Sequence, residues 1–358
     1  MTEEGIDART RVLLDGLLRA VGPSSYERPA AEIWRKAAGE FADVRGDALG
    51  NSFATVNPGG GPRIALVGHV DEIGLLVKHI DASGVIFVGE IGSWDPAVLV
   101  GQRITVLTAS GPVPGVMGKA ARHLLSEEER KRVPLVHDLW IDIGASDEED
   151  AASAVQIGDP IVMAAEPVEL RGQRLASRAL DNRLGALVVL EAARRAAAAG
   201  DLGAEVIAVA SVREETSYAG ARTAAFAVEP DIAITLDVTH TDDYPNSNQA
   251  RVTGSRALGS GPSISRGAAQ HEGVAHRLIA VAREAGIPYT LEADGSASWT
   301  DSEAVQEVRG GVPCGLVGIP LRYMHSPSET CDLRDVEMAI DLVASFCRSI
   351  RPGEDWTQ

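Results

Sequence analysis

Thiols are scarce in this chain. Its 358 residues include three cysteines, Cys314, Cys331 and Cys347, an odd number with no Cys-x-x-Cys spacing. That argues against a disulfide framework and against a thiolate zinc site. Basic residues are in deficit: 33 Lys and Arg stand against 51 Asp and Glu, a formal net charge of −18. Such a balance favours solubility and argues against nucleic acid or an anionic membrane as a partner. No apolar stretch approaches the ~20 residues of a membrane span. The opening Met-Thr-Glu-Glu-Gly-Ile-Asp carries no apolar segment of the secretory kind, so cytoplasm is the expected location. Aromatics are few, at 4%, and no strong internal repeat is visible. What remains is ordinary for a globular protein, 45% hydrophobic and 23% charged, and long enough for one or two domains.

The stretch that organises the rest is Ser211-Val-Arg-Glu-Glu-Thr-Ser217. The apolar run Glu205–Val212 has the length and composition of a buried strand, and it ends in two adjacent carboxylates. Strand alternation predicts that Glu214 and Glu215 point to different sides, one toward a metal and one toward a reacting water. Taken alone, the pair also fits an exposed acidic turn.

Elsewhere the chain alternates helices and strands. Helices are expected over 7–20 and up to about Phe41, the second capped by Ser24 or Ser25. A hairpin is expected over 44–56 with its turn near Gly50-Asn51. A buried strand from Arg63 runs into His69-Val-Asp71. His69 reads either as a hydrogen-bonded structural residue or as a metal ligand oriented by Asp71. From about Leu75 to Met163 short β-like runs separated by Gly, Pro and Asp suggest a small inserted barrel or sandwich; only Ser126–Arg132 has helical character. A strong helix covers Leu184–Ala199, placing Asp181 at its start as either N-cap or ligand. The strand 232–238 ends at Asp237, a turn former or a site residue. Residues 240–267 read as a long functional or mobile loop, Thr300 or Asp301 as a helix cap, and the strand 314–319 leads to a loop holding His325.

Four apolar strands thus each end at a candidate ligand: His69, Glu214/Glu215, Asp237 and His325, with Asp181 between them. Sites in open α/β sheets form beyond the carboxyl ends of the strands. Two imidazoles with three or four carboxylates suit a pair of divalent ions such as Zn²⁺, Co²⁺ or Mn²⁺.

On these residues the chain resembles the tetrahedral (TET-type) aminopeptidase family of dinuclear metallopeptidases. That family includes glutamyl and deblocking aminopeptidases, and some of its members bear an endoglucanase name. The resemblance runs through Ser25-Tyr-Glu27, Leu49-Gly-Asn51, Gly68-His-Val-Asp-Glu-Ile-Gly74, Asp138–Ala145, Ala179-Leu-Asp-Asn-Arg183, Glu214-Glu215, Leu236-Asp-Val-Thr239 and Arg322–Pro327. It implies a three-layer α/β/α catalytic domain (1–72 and 165–358) interrupted by a β-barrel (73–164) that serves dimerisation or as a lid. It implies that Asp181 bridges two metal ions, that His69 and Asp237 complete one site and Glu215 and His325 the other. Glu214 would be the general base and Asp71 the residue orienting His69. The Asp181–Asn182 peptide bond is often cis in such enzymes. The implied substrates are peptides with a free N-terminus, and the implied assembly is dimers building a dodecamer. Thr216-Ser217 departs from the family's Val-Gly, and the segment Lys119–His123 has less proline than the family pattern. Rival readings are a two-metal deacylase acting on N-acylated amino acids, a glycoside hydrolase, against which the imidazole ligands argue, and a catalytically silent scaffold. His123, His240 and His271 receive no role.

Overall fold

The computed structural model describes residues 5–247, 251 and 254–357. Its centre is four parallel strands in the order Glu205–Ser211, Arg63–His69, Ile232–His240, Cys314–Arg322. Antiparallel strands extend both flanks. The hairpin Asp43–Gly46/Ser52–Val56 joins one side. Glu329–Asp332, Arg174–Ser177 and Val168–Leu170 extend the other. Ser263–Gly267 and Thr290–Asp294 pair with each other and attach to the middle of Cys314–Arg322.

Alternation along these strands builds two cores. Ile64 and Leu66 face a core formed with helices Ala8–Arg19, Arg28–Ala38, Leu180–Ala198, Glu272–Ala285 and Leu333–Ser349. Ala65 and Val67 face a smaller core with helices Ala219–Val228 and Asp301–Gln306. Burial on both faces explains why the central strands read as continuous apolar runs. The architecture is the expected three-layer α/β/α sandwich. One helix lies against the sheet with little separation: a Cβ on Gly68 would sit 2.6 Å from the carbonyl carbon of Gly185.

Six strands between Gly74 and Met163 close a separate antiparallel barrel, with a core that includes Leu75, Ile86, Val106 and Ile141. Three local expectations are corrected. The Ser126–Arg132 region forms only short 3₁₀ turns, and Glu129 folds back to accept from Ser126 Oγ at 2.7 Å. Ser24 and Ser25 do not cap the second helix, whose N-cap position is Glu27 with no side-chain cap. Within 240–267, Ser263–Gly267 is a strand, and residues 248–250 and 252–253 lie outside the described residues. The hairpin turn is as expected, organised by Asp47 Oδ1, which accepts from the backbone N–H groups of Leu49, Gly50 and Asn51. Among the described residues no helix is long and apolar enough to cross a membrane.

Candidate metal centre

The carboxyl ends of the central strands converge on one cleft of about 680 Å³. His69 ends its strand opposite Ser211 of the neighbouring strand. Val70 N–H still donates to Ser211 O (2.9 Å), so the chain turns inward without losing its pairing and delivers Asp71 beneath the imidazole. Asp71 Oδ1 lies 3.3 Å from His69 Nδ1. Its two oxygens also accept from Ser24 Oγ (2.6 Å) and from the backbone N–H groups of Glu214 (3.1 Å) and Glu215 (3.2 Å). Asp71 therefore ties three segments together, and it is fully buried. Burial raises its pKa, but His69 and these donors outweigh burial and hold the carboxylate below its usual range.

The Glu pair is not placed by strand alternation. The strand stops at Ser211, and Glu214–Ser217 is a single helical turn bracketed by left-handed Arg213 (φ 60°) and Tyr218 (φ 54°). Adjacent residues on such a turn diverge by about 100°, so the two carboxylates still face different partners. Glu214 Oε2 is 3.6 Å from His69 Nε2, and Glu215 Oε2 is 3.5 Å from His325 Nε2. Ser217, where the family pattern has glycine, is exposed and has no positive φ; the left-handed residue is Tyr218. The turn accommodates Thr216-Ser217 with its backbone intact.

Asp181 lies between the imidazoles. Its Oδ1 is 3.3 Å from His69 Nε2 and its Oδ2 is 3.4 Å from His325 Nε2. It precedes the regular helix and does not cap it, with non-helical angles at both Asp181 and Asn182 and a cis peptide bond between them. Asn182 anchors the segment, donating to Leu236 O (2.7 Å) and accepting from Gly185 N–H (2.8 Å). Asp237 Oδ1 lies 3.8 Å from His69 Nε2. The structure thus brings His69, Asp71, Asp181, Glu214, Glu215, Asp237 and His325 together. Ligand atoms of His69, Asp181 and Glu215 lie within 4.8 Å of one another, as do those of His69, Glu214 and Asp237.

Three residues that the sequence did not mark as part of the site complete it. Glu329 is buried and links two segments of the site, accepting from Asp181 N–H and His325 N–H, both at 3.0 Å. Asp301 is buried behind the Glu pair and accepts from Ser211 Oγ at 2.6 Å. Ser24 serves Asp71. No local pattern distinguishes these from capping or surface residues. Ser24 and Asp301 both sit near helix starts, where Ser and Asp are expected on capping grounds alone. The capping role expected near 300 belongs to Thr300, which accepts from Ser302 N–H at 3.2 Å. His271 caps helix Glu272–Ala285, His240 lines the cleft outside both ligand groups, and His123 lies in an exposed 3₁₀ turn.

The charge balance says what this donor set is for. Seven carboxylates (Asp71, Asp181, Glu214, Glu215, Asp237, Asp301 and Glu329) surround two imidazoles. Burial pushes Glu215 and Asp237 up to about 8 each, and the charge of Asp181 adds to both. Burial likewise lifts Glu214 and Glu329 well above the ordinary range and Asp301 to about 6. Burial opposes a charged imidazole at His325, yet Asp181 and Glu215 raise it to about 10. Glu215 Oε1 is buried with no hydrogen-bond partner among the described residues. Surplus buried negative charge needs pairing or coordination to cations. An oxygen- and imidazole-rich set without thiolates fits divalent ions.

Comparisons with known proteins place the chain in a family. The family model described as M42 glutamyl aminopeptidase matches residues 50–342. The chain is similar to a lysyl aminopeptidase of Pyrococcus furiosus, 33% identical over 95% of this chain and 97% of that one. Among solved structures it is similar to a TET aminopeptidase from a marine sediment Thaumarchaeota archaeon, with a TM-score of 0.91 and 33% identity over 96% of this chain and 97% of that one. It is also similar to the TET1 peptidase of Pyrococcus horikoshii, described as able to assemble into a tetrahedron or a large octahedral shell. There the TM-score is 0.85, with 30% identity over 95% of this chain and all of that one. Strand ends that gather two imidazoles among buried carboxylates and a matched family model covering most of the chain lead to one conclusion: this protein belongs to the M42 glutamyl aminopeptidase family and is a metal-dependent aminopeptidase.

Proposed function

We propose that this chain removes single residues from the free N-terminus of peptides using two divalent ions, Zn²⁺ or Co²⁺ in preference to Mn²⁺. The observation that carries the reading is the placement of Asp181, whose two oxygens face two different imidazoles at 3.3 and 3.4 Å. Asp181 would bridge the ions, His69 and Asp237 would hold one, and Glu215 and His325 the other. Bound ions would supply an acidified water and a polarised scissile carbonyl. Glu214, whose Oε2 is 3.6 Å from His69 Nε2, would take a proton from that water and pass it to the departing amine; such acid–base help is worth typically ~10²–10⁴-fold. Asp71 holds the His69 ring and anchors the Glu214–Glu215 turn through two backbone hydrogen bonds.

The barrel, 73–164, is proposed as the dimerisation or lid module. It exposes Leu124, Val133 and Leu135 on its 3₁₀ segment, and it reaches the centre at Gly92, beside Glu215. A homo-oligomer of dimers, up to a dodecamer, follows from the resemblance to shell-forming relatives, and cytoplasm remains the proposed location. The test of the activity is a panel of aminoacyl chromogenic amides after chelation and after Zn²⁺ or Co²⁺ add-back. Hydrolysis should vanish with chelation and return with metal. Undiminished hydrolysis in excess EDTA would count against the reading. Light scattering of the full chain tests the assembly, and a monomeric mass removes the dimer proposal.

A further inference from the structure

Beyond the metal centre, the cleft has a wall of one sign. The strand Thr290–Asp294 is an outer strand that pairs with Ser263–Gly267. Its C-terminal end lines the cleft, bringing Glu292 and Asp294 to the wall along with Ala293 and Gly295. No Lys or Arg lines the cleft among the described residues. Arg256 lies behind the wall, 3.4 Å from Glu292, and Thr239 Oγ1 donates to the same carboxylate at 2.9 Å. Asp294 has no such cation among the described residues. Its Oδ2 accepts from Ser265 Oγ, and its Oδ1 has no hydrogen-bond partner among the described residues. Burial lowers the pKa of His240, also on the cleft, against the pull of Asp181.

Opposite chemistry stands at the rim. Trp299 lines the same cleft while 78% exposed, and its backbone is held in the left-handed region at φ 56°. Glu303 accepts its N–H at 2.8 Å, and Ser298, Thr300 and Ser302 cross-link the segment. A large exposed ring on a hydrogen-bonded backbone offers apolar surface to whatever enters. The spacing is also informative. Thr239, which holds Glu292, is two residues beyond Asp237 on one strand, and such a step is about 6.5 Å. A four-methylene stem with a terminal ammonium spans a comparable distance.

Resting on the aminopeptidase reading, we infer that this cleft selects peptides whose N-terminal side chain is a long cation, lysine or arginine, and that Asp294 with Glu292 sets the preference while Trp299 packs the stem. A glutamyl side chain would meet two carboxylates and no cation on the wall, so the activity in the family's name is the one this wall opposes. Like-charge juxtaposition is a recognised way of rejecting a competitor.

The experiment uses the full, metal-loaded protein and the chromogenic amides of Lys, Arg, Leu and Glu. The expected kcat/KM for Lys and Arg exceeds that for Glu by on the order of tenfold or more, and the ratio shrinks as salt is raised. Asp294→Asn should reduce the Lys-to-Glu ratio several-fold, and Asp294→Lys should invert it. Calorimetric binding of free L-arginine against free L-glutamate should give the same order without turnover. Preference for Glu, or an unchanged ratio in Asp294→Asn, would overturn the inference. So would a KM increase that is equal for all four amides, because the carboxylates would then be holding the α-amino group. Cleavage in the wrong order removes only this inference; no cleavage of any amide removes the aminopeptidase reading and this inference with it.

Discussion

The two imidazoles that flank Asp181 are held in opposite ways. His69 ends a central parallel strand, has 1% of its side chain exposed, and rests on the buried Asp71. His325 sits on a loop, has 31% of its side chain exposed, and is left-handed, as is Tyr323 two residues earlier (φ 60° for both). A left-handed non-glycine residue costs roughly 1–2 kcal/mol, so the loop holds this geometry only because something else fixes it. Glu329 does so, by accepting the N–H groups of both Asp181 and His325. One half of the centre is therefore built by the sheet, and the other by a buried carboxylate that clamps a strained loop to a helix start. Similar donor chemistry can be supplied either by regular structure or by a specific tertiary contact.

Several substitutions would break or sharpen this contrast. Asp181→Ala should have the largest effect, because it faces both halves. Metal analysis should find both ions lost and turnover reduced on the order of 10³-fold or more; normal metal content would remove the bridging role. Glu214→Gln should lower kcat by about 10²–10⁴-fold with metal content intact, and near-normal kcat would remove the proton-transfer assignment. Next come the two supports. Glu329→Gln leaves one acceptor oxygen for two N–H groups, and Asp71→Asn loses the charge beneath His69. Each should weaken metal binding by about 10–100-fold in chelator competition, the first on the His325 side and the second on the His69 side. If both variants lose the same ion, the halves are one unit and the comparison fails. The smallest effect is expected from Ser24→Ala, which removes one hydrogen bond to a buried carboxylate, worth about 1.5–3 kcal/mol. A urea midpoint indistinguishable from the parent would show that Asp71 does not need it.

The contrast also explains what could be read in advance. His69, Asp237 and the Glu pair were legible because buried parallel strands give long apolar runs, and a charge at the end of such a run stands out. The barrel was legible because short alternating runs with Gly and Pro turns have few other uses. The geometry of Glu214-Glu215 was not, since extending the strand to the pair overlooked the left-handed break at Arg213. Ser24, Asp301 and Glu329 were invisible as site residues for a different reason. Each acts on a residue far away in sequence, as Ser24 does on Asp71 and Glu329 on Asp181, and nothing in their own neighbourhood records the partner.

The sequence by itself determined the alternation of helices and strands, the inserted barrel and the charged residues at the ends of apolar runs, because periodicity and run ends are local properties of the chain. Only the tertiary structure decided how those residues are aimed. Long-range hydrogen bonds set the Asp181 oxygens between two imidazoles and suspend the Glu pair from Asp71. Pairing with Ser263–Gly267 brings the strand end that carries Glu292 and Asp294 to the cleft. Those interactions join residues dozens to hundreds of positions apart, and the free energy of such contacts depends on a folded geometry that no local pattern specifies.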